Sequence, residues 1–508
     1  MDHRPRVLEL AELAVTVRQL QAQGKKVVHS HGVFDLLHVG HIRHFEQAKA
    51  MGDVLVVTLT QDQYVNKGPH RPAFPQDLRA EGVAALGVVD YVAVNRWPLS
   101  VETIKLIRPD IYVKGSDYAL PEKDVTGGIS VEAEAAKSVG AEVRFTNGIV
   151  FSSSALLNRH FPAFRPDVVR YLDDFRCRHS TDAVLGWLDR ASALRPLVVG
   201  EAIVDEYIFC DGIGKSTKDP VLAVLHKTTD SYAGGSLAVA NHVAGICTSV
   251  RLVTQLGDRD RAEPLVRSSL RSNVEAVLLT KRGSPTIHKR RVVDHYSGNK
   301  LLEIYVMNDA LTRGEDAAAL SEALATAIEA RDLTIVTDYG HGMMTGDAIR
   351  ELCARAPFLA VNVQANAGNQ GFNRITKYSR ADYVCLANHE LAVETRQRDS
   401  VPAESIKLLA ELIDCPRFTV TLGKGGSFHY DAQAGFSEAP ALTSYVVDRV
   451  GAGDAVLAVT ALALKVGAPR DVVAFLGNVA GAELVAELGN RRPLNRVSLS
   501  RHITSLLK

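Results

Sequence analysis

The sequence predicts an α/β protein built from two parallel-sheet domains, and three observations carry that expectation. Short apolar strands alternate with amphipathic helices along nearly the whole chain, the pattern of βαβ units. A glycine-bearing turn stands at a strand-to-helix or loop-to-helix junction twice, around Gly32–Gly40 and around Gly451–Gly453, where backbone N–H groups face an anion. The chain also has 508 residues, more than the roughly 100–200 of an ordinary domain, so a boundary must fall inside it.

Residues 7–23 carry apolar side chains at helical spacing and stop at Gly24, after which KKVVHSHG reads as a strand entering a turn. Strands at 53–60, 90–95, 110–115 and 141–145, with helices at 76–87, 100–107 and 130–139, continue the alternation. Residues 1–161 therefore predict one doubly wound sheet. Residues 162–193 read as a polar helical connector that ends before Pro196. A strand at 196–205 opens a second α/β domain, 194–508, with further strands near 250–255, 333–338, 358–363, 382–386 and 417–422.

Composition narrows the function. The 58 basic residues balance 58 acidic ones, so nothing draws the chain to nucleic acid or an anionic membrane, and small-molecule substrates are expected. The first thirty residues lack a basic segment followed by an apolar run, and no stretch of about 18 apolar residues occurs, which predicts a cytoplasmic protein with no membrane partner. Six scattered cysteines without a CxxC pair read as reduced thiols. Gly214-Lys215-Ser216 imitates the end of a P-loop, but Phe209 stands where the leading glycine is required. Trp97 and Trp187 form no stacking array for single-stranded nucleic acid.

In HGVFDLLHVGH, His38 and His41 flank Gly40 at the start of a helix, so both imidazoles can face one pocket and donate to a triphosphate. For a bare H-x-G-H the alternatives are an incidental pair or a metal cluster with His29, His31 and His44. The longer string GVFDLLHVGHIRHFEQAKAMGDVLVV resembles the cytidylyltransferase-like family of HxGH nucleotidylyltransferases, and the resemblance spans residues 7–160. It implies a Rossmann-like domain in which Gly32, Val33, Phe34 and Gly40 meet the nucleotide. VKGSDY would add Lys114, Gly115 and Asp117, and FSSSALLNR would add Ser152, Ser153 and Ser154. Lys67 and Arg71 in the loop NKGPHR would clamp the triphosphate, with Arg79 on the following helix, and His38, His41 and Lys67 would be the catalytic groups. In the implied reaction a sugar-phosphate oxygen attacks the α-phosphorus of ATP or CTP and pyrophosphate leaves, with Mg²⁺ sharing the charge.

Residues 448–454, DRVGAGD, set a glycine-rich turn before an apolar helix with Asp454 at its start. General-base removal of a hydroxyl proton is one use of such a carboxylate, and a plain helix cap is the other. VVGEAIVDEYIF, AGGSLAVANHVAGI, TDYGHG and TLGKGGS occur in the order seen in ribokinase-like (PfkB) carbohydrate kinases, which residues 196–500 resemble. The resemblance implies a sugar site of Asp205, Gly234, Gly235 and Asn241, and an anion hole of Gly451, Ala452 and Gly453 beside the base Asp454. ATP would lie along Gly423 and Gly425, near Asn388 and a Mg²⁺-linked Glu390. Four segments depart from the family: the loop after Gly234-Gly235 is longer and leaves Ala238 near where an asparagine is expected, His341 replaces a lysine, NVQANAGNQGFN at 362–373 replaces an acid and base pair, and Asn388-His389-Glu390 is shortened.

Together the halves resemble bifunctional heptose-phosphate kinase/nucleotidylyltransferases with the domain order swapped. That implies a kinase acting on a sugar or sugar phosphate, joined to a transferase that makes a nucleotide-activated, heptose-like sugar, and a homodimer is expected on the same ground. The alternative is a transferase alone, with a kinase-derived module that binds sugar or assembles subunits.

Overall fold

A computed structural model describes residues 6–65, 71–115, 128–147, 164–366, 368–369, 371–397, 401–443 and 445–508. The chain divides into two compact units, one of residues 1–165 with 500–508, the other of residues 166–499.

In the first unit Leu10, Leu13, Ala14 and Val17 recur at helical spacing and bury one face of α1 (Leu10–Ala22). The chain then alternates β1 (Val27–Gly32), α2 (Val39–Lys49), β2 (Val54–Leu59), α3 (Gln76–Ala84), β3 (Tyr91–Val94), α4 (Val101–Ile107), β4 (Ile111–Lys114), α5 (Gly128–Ser138) and β5 (Glu142–Phe145). The strands pair in parallel in the order β3-β2-β1-β4-β5. Both faces are covered by helices, which is why β1 and β2 are almost wholly buried. Strand order reverses between β1 and β4, and the crevice at their carboxyl ends is where such sheets bind ligands.

The expected connector is helical over Pro166–Arg178 and Thr181–Ser192, but both helices belong to the second unit. Phe175 stacks on Phe475 at 4.4 Å, and Val184 and Leu188 are buried, so an apolar stripe ties these helices to that core. The single strand expected at 196–205 is two: β6 (Pro196–Gly200) and β7 (Ala202–Lys215), separated by Glu201. β7 forms a long hairpin with β8 (Leu222–Gly235). After β9 (Val250–Gly257) and β10 (Val274–Lys281) come β11 (Ile287–Asp294) and β12 (Lys300–Val306), then β13 (Leu333–Asp338), β14 (Leu359–Val363), β15 (Tyr383–Ala387), β16 (Arg417–Thr421), β17 (Ser427–Asp431) and β18 (Gly435–Ala439).

Two sheets result. The larger, β10-β9-β6-β13-β14-β15-β16-β17-β18, is parallel up to β16 and antiparallel beyond it. The smaller, β12-β11-β7-β8, was not legible in the sequence. Along β11 every second residue is buried, which turns Lys289 and Arg291 inward with Ile287 and Val293. No helix among the described residues is long and apolar enough to cross a membrane.

Candidate active sites

At the end of β1, Gly32 leaves room for the ring of Phe34, which stands in the left-handed region (φ 48°) and would collide with any Cβ at position 32. The carbonyl of Val33 accepts from Arg79, whose buried guanidinium also donates to Thr60 O (2.8 Å), Phe74 O (2.9 Å) and Asp62 Oδ1 (2.6 Å). Arg79 is therefore a strut for the turn and not a cation offered to a triphosphate. Buried Asp35 fixes the loop that returns to α3, accepting from the amides of Ala73 (2.6 Å) and Phe74 (3.2 Å) and pairing with Arg71 at 3.4 Å.

His38 caps α2: its Nδ1 accepts from the amide of Gly40 at 3.1 Å. Burial holds its pKa below the usual histidine value. A neutral ring that accepts at Nδ1 carries its proton on Nε2, a donor on the far side of the ring. The rings of His38 and His41 stack at 3.9 Å, and Phe34 meets His41 edge-on at 5.4 Å, so the two imidazoles are held as one slab. The other histidines are spent elsewhere. His29 and His31 bond Thr58 Oγ1 (2.8 and 2.9 Å), and His44 bridges Ser30 and Thr146 (2.8 and 2.9 Å). Among the described residues no group of three or more His, Cys, Asp or Glu is arranged to hold a metal.

Burial keeps these rings neutral, pulling His31 to about 3 and His44 to about 4. The unfolded chain binds protons that the fold refuses below about pH 6.5, so the stability of the first unit falls as pH drops from there towards 4. Hydrogen exchange of α2 and β1 in the full chain is expected to speed up at pH 5 relative to pH 7 after correction for intrinsic rates. Unchanged protection would mean the rings protonate within the fold.

Lys114 ends β4 buried, 2.8 Å from Glu132 and donating to His31 O at 3.2 Å. Burial would raise the carboxyl of Glu132, but the Lys114 charge outweighs it and holds the group at about 2. The lysine thus ties α5 to the carboxyl end of β1, with Gly115 directly after it. Lys67, Asp117, Ser152, Ser153 and Ser154 lie outside the described residues.

In the second unit Gly451 adopts φ 83° and turns the chain into the helix Ala452–Lys465; a Cβ there would strike the side chain of Asn490. Asp448 anchors this turn, accepting from Tyr207 OH and Lys300 Nζ (both 2.6 Å) and from the amides of Arg449 (2.7 Å) and Val450 (3.2 Å). Gly453 is exposed at the helix start, and Asp454 follows it. Tyr339 OH donates to Asp454 Oδ1 at 2.9 Å. Burial pushes the Asp454 carboxyl up to about 7, where it gains and loses a proton near neutrality.

Asp205 pairs with Arg291 at 2.6 Å, and a Cβ at Gly234 would run into that carboxylate. A Cβ at Gly235 (φ 57°) would likewise strike the Glu201 carbonyl, so the two glycines let β8 approach β7 beside the site. Asn241 has a different place from that expected. It is buried, with Nδ2 donating to Ser269 O (2.9 Å) and Oδ1 accepting from Arg271 N (2.9 Å), so its amide braces a backbone loop. Glu390 is likewise buried, each oxygen taking a backbone amide, from Ala365 (3.1 Å) and Ala387 (2.7 Å), and burial raises its carboxyl to about 7. A carboxyl so placed staples two segments and suits a cation poorly, while Asn388 stands exposed beside it. Gly423 and Gly425 form a tight turn after β16.

Sequence reasoning missed Lys289, whose Nζ lies 5.7 Å from the ring centroids of both Tyr305 and Tyr339. It also missed Tyr339 itself and Glu201, which accepts from the amides of Tyr339 and His341 (both 3.0 Å). The signal available was the D-Y-G pattern at the end of β13, of which only the neighbouring His341 was singled out.

Both units therefore present a helix N-terminus with proton-carrying side chains at the carboxyl end of a parallel sheet, the arrangement of a nucleotide-handling transferase. Residues 195–496 match the pfkB family carbohydrate kinase model, and the chain belongs to that family. Residues 30–156 match the cytidylyltransferase-like model, which identifies the N-terminal domain. The bifunctional protein HldE of Ectopseudomonas mendocina is 37% identical over 150 residues, 29% of this chain and 30% of that protein. HldE of Aliarcobacter butzleri is 45% identical over 121 residues, 23% of this chain and 24% of that protein. The chain thus matches under a third of the length of these relatives. Phosphofructokinase-2 from Escherichia coli in complex with potassium is similar in fold, with a TM-score of 0.51 and 15% identity over 62% of this chain and 100% of that one. The same protein in complex with fructose-6-phosphate gives 0.50 and 16% over the same shares.

Proposed function

We propose that the chain is a bifunctional enzyme of nucleotide-activated sugar synthesis. The second unit phosphorylates a sugar or sugar phosphate from ATP, and the first joins a sugar phosphate to a nucleotide from ATP or CTP with release of pyrophosphate. The observation that carries this reading is Asp454: a half-buried carboxyl beside an anion-binding turn, held by Tyr339 and poised to protonate at about 7.

In the kinase step the acceptor hydroxyl gives its proton to Asp454 as its oxygen bonds the γ-phosphorus, and the bond to the β-phosphate oxygen breaks to release ADP. The N–H groups at Gly451–Gly453 and the ammonium of Lys289 meet the charge that develops. In the transferase step the nucleophile is already an anion, so His38 and His41 serve to orient and neutralise the triphosphate. Mg²⁺ bound with the nucleotide would neutralise phosphate charge, and Glu390, committed to the amides of Ala365 and Ala387, would be a poor ligand for it.

The test is ADP and pyrophosphate release, followed separately in the full chain with Mg²⁺-ATP or Mg²⁺-CTP and a panel of hexoses, heptoses and their phosphates. Acceptor-dependent release of both products supports the bifunctional reading and names the sugar. Pyrophosphate alone, with sugar binding but no ADP from any acceptor, would leave a transferase carrying a kinase-derived sugar-binding or assembly module.

A further inference from the structure

Asn366, Asn369 and Asn373, in the sequence stretch that departs from the kinase family, meet the backbone at the end of β13 and just after it. Asn366 Nδ2 and Asn369 Nδ2 both donate to the carbonyl of Tyr339, at 3.0 and 2.8 Å, and Asn373 Nδ2 donates to Asp338 O at 3.0 Å. The amide of Tyr339 is held by Glu201 Oε2 at 3.0 Å, and the residue is 2% exposed. Every polar atom of this tyrosine is therefore fixed, and its hydroxyl ends 2.9 Å from Asp454 Oδ1. Asn369 is buried and Asn366 half-buried, and side-chain amides withdrawn from water that bond a carbonyl restrict the loop more than solvent-exposed ones would.

We propose that Tyr339 is a positioning residue for phosphoryl transfer: clamped by Asn366 and Asn369, it fixes Oδ1 of Asp454 so that Oδ2 receives the acceptor proton. This rests on the kinase reading above. A carboxylate held at one oxygen loses rotation about its terminal bond, so the second oxygen keeps one direction while the acceptor approaches. The hydrogen bond also favours the charged carboxylate over the neutral acid. The other groups acting on Asp454 are Asp205 from β7, Lys289 from β11, Cys385 within β15 and Glu390 in the helix that follows it, and none of them is altered when the Tyr339 hydroxyl is removed.

The experiment is the pH profile of ADP release by the full chain with the acceptor found in the panel, for the parent, Tyr339→Phe, the double variant Asn366→Ala/Asn369→Ala, and all three changes together. For Tyr339→Phe the acidic limb of kcat/KM is expected to move up by about one pH unit. The plateau kcat is expected to fall about tenfold, with KM for ATP and acceptor unchanged and pyrophosphate release intact as the measure of sound protein. The asparagine pair is expected to act in the same direction and to add nothing once the hydroxyl is gone. An unmoved limb in Tyr339→Phe, whether or not kcat falls, overturns the proposal, and fully additive effects overturn the clamp. A parent that releases no ADP with any acceptor sinks the kinase reading itself, a result distinct from an active parent with an unmoved limb.

Discussion

Asp454→Asn is expected to lower ADP release by about 10²–10⁴-fold, the range for loss of a general base, while pyrophosphate release stays at the parent level. The amide keeps an oxygen to accept from Tyr339 OH, so the local geometry survives, but it has no site basic enough to take the acceptor proton. Stability should move the other way. Burial raises the folded-state pKa of Asp454 to about 7, so the carboxylate costs stability that grows as pH rises from its unfolded value towards 7. The variant should therefore melt no lower than the parent at pH 7.5, and higher if the relief is large. Lost turnover with undiminished melting is the mark of a group kept for chemistry; a lower melting point with partial activity would make Asp454 a structural helix-start residue.

The second large effect is expected in the other unit. His41→Ala should reduce pyrophosphate release by about 10²–10³-fold, the range for one lost donor at a developing anion, and leave ADP release unchanged. His41 is the cleaner target because His38 also caps α2 through Gly40, and a lost cap costs about 1 kcal/mol. Removing the ring of His41 also strips the stacked partner from His38, which then keeps only its cap bond to Gly40 to set its direction. Parent-level turnover in this variant would return the pair to an incidental role. A loss that appears only at low nucleotide concentration would assign His41 to ground-state binding.

The alternation of strand and helix was legible because both faces of a parallel sheet are covered, which leaves continuous apolar runs such as VLVV in β2. The two glycine turns were legible because each needs glycine, Gly451 for its left-handed backbone and Gly32 for the space that the ring of Phe34 takes. The smaller sheet was not, since β8 and β12 leave nearly all their residues exposed or half-exposed, so no buried apolar face marks them in the sequence. Asn241 and Glu390 were placed from family resemblance, but each spends its polar atoms on backbone groups from other segments, Ser269 and Arg271 for one, Ala365 and Ala387 for the other. Tyr339 escaped notice for a similar reason. Its meaning lies in Asp454, a partner that only the folded chain brings near.

The order of strands in the larger sheet bears on how the protein is made. β1 through β5 lie within residues 27–145 and pair with one another, so that sheet can form once its own stretch has been synthesised. β6, at 196–200, is flanked by β9 and β13, and the latter is made only at 333–338. Pairings so far apart in sequence carry a loop-closure cost before any contact repays it. The kinase unit should accordingly be the slow folder, with the apolar strand Pro196–Gly200 the part that a chaperone or an aggregating neighbour meets first on the growing chain.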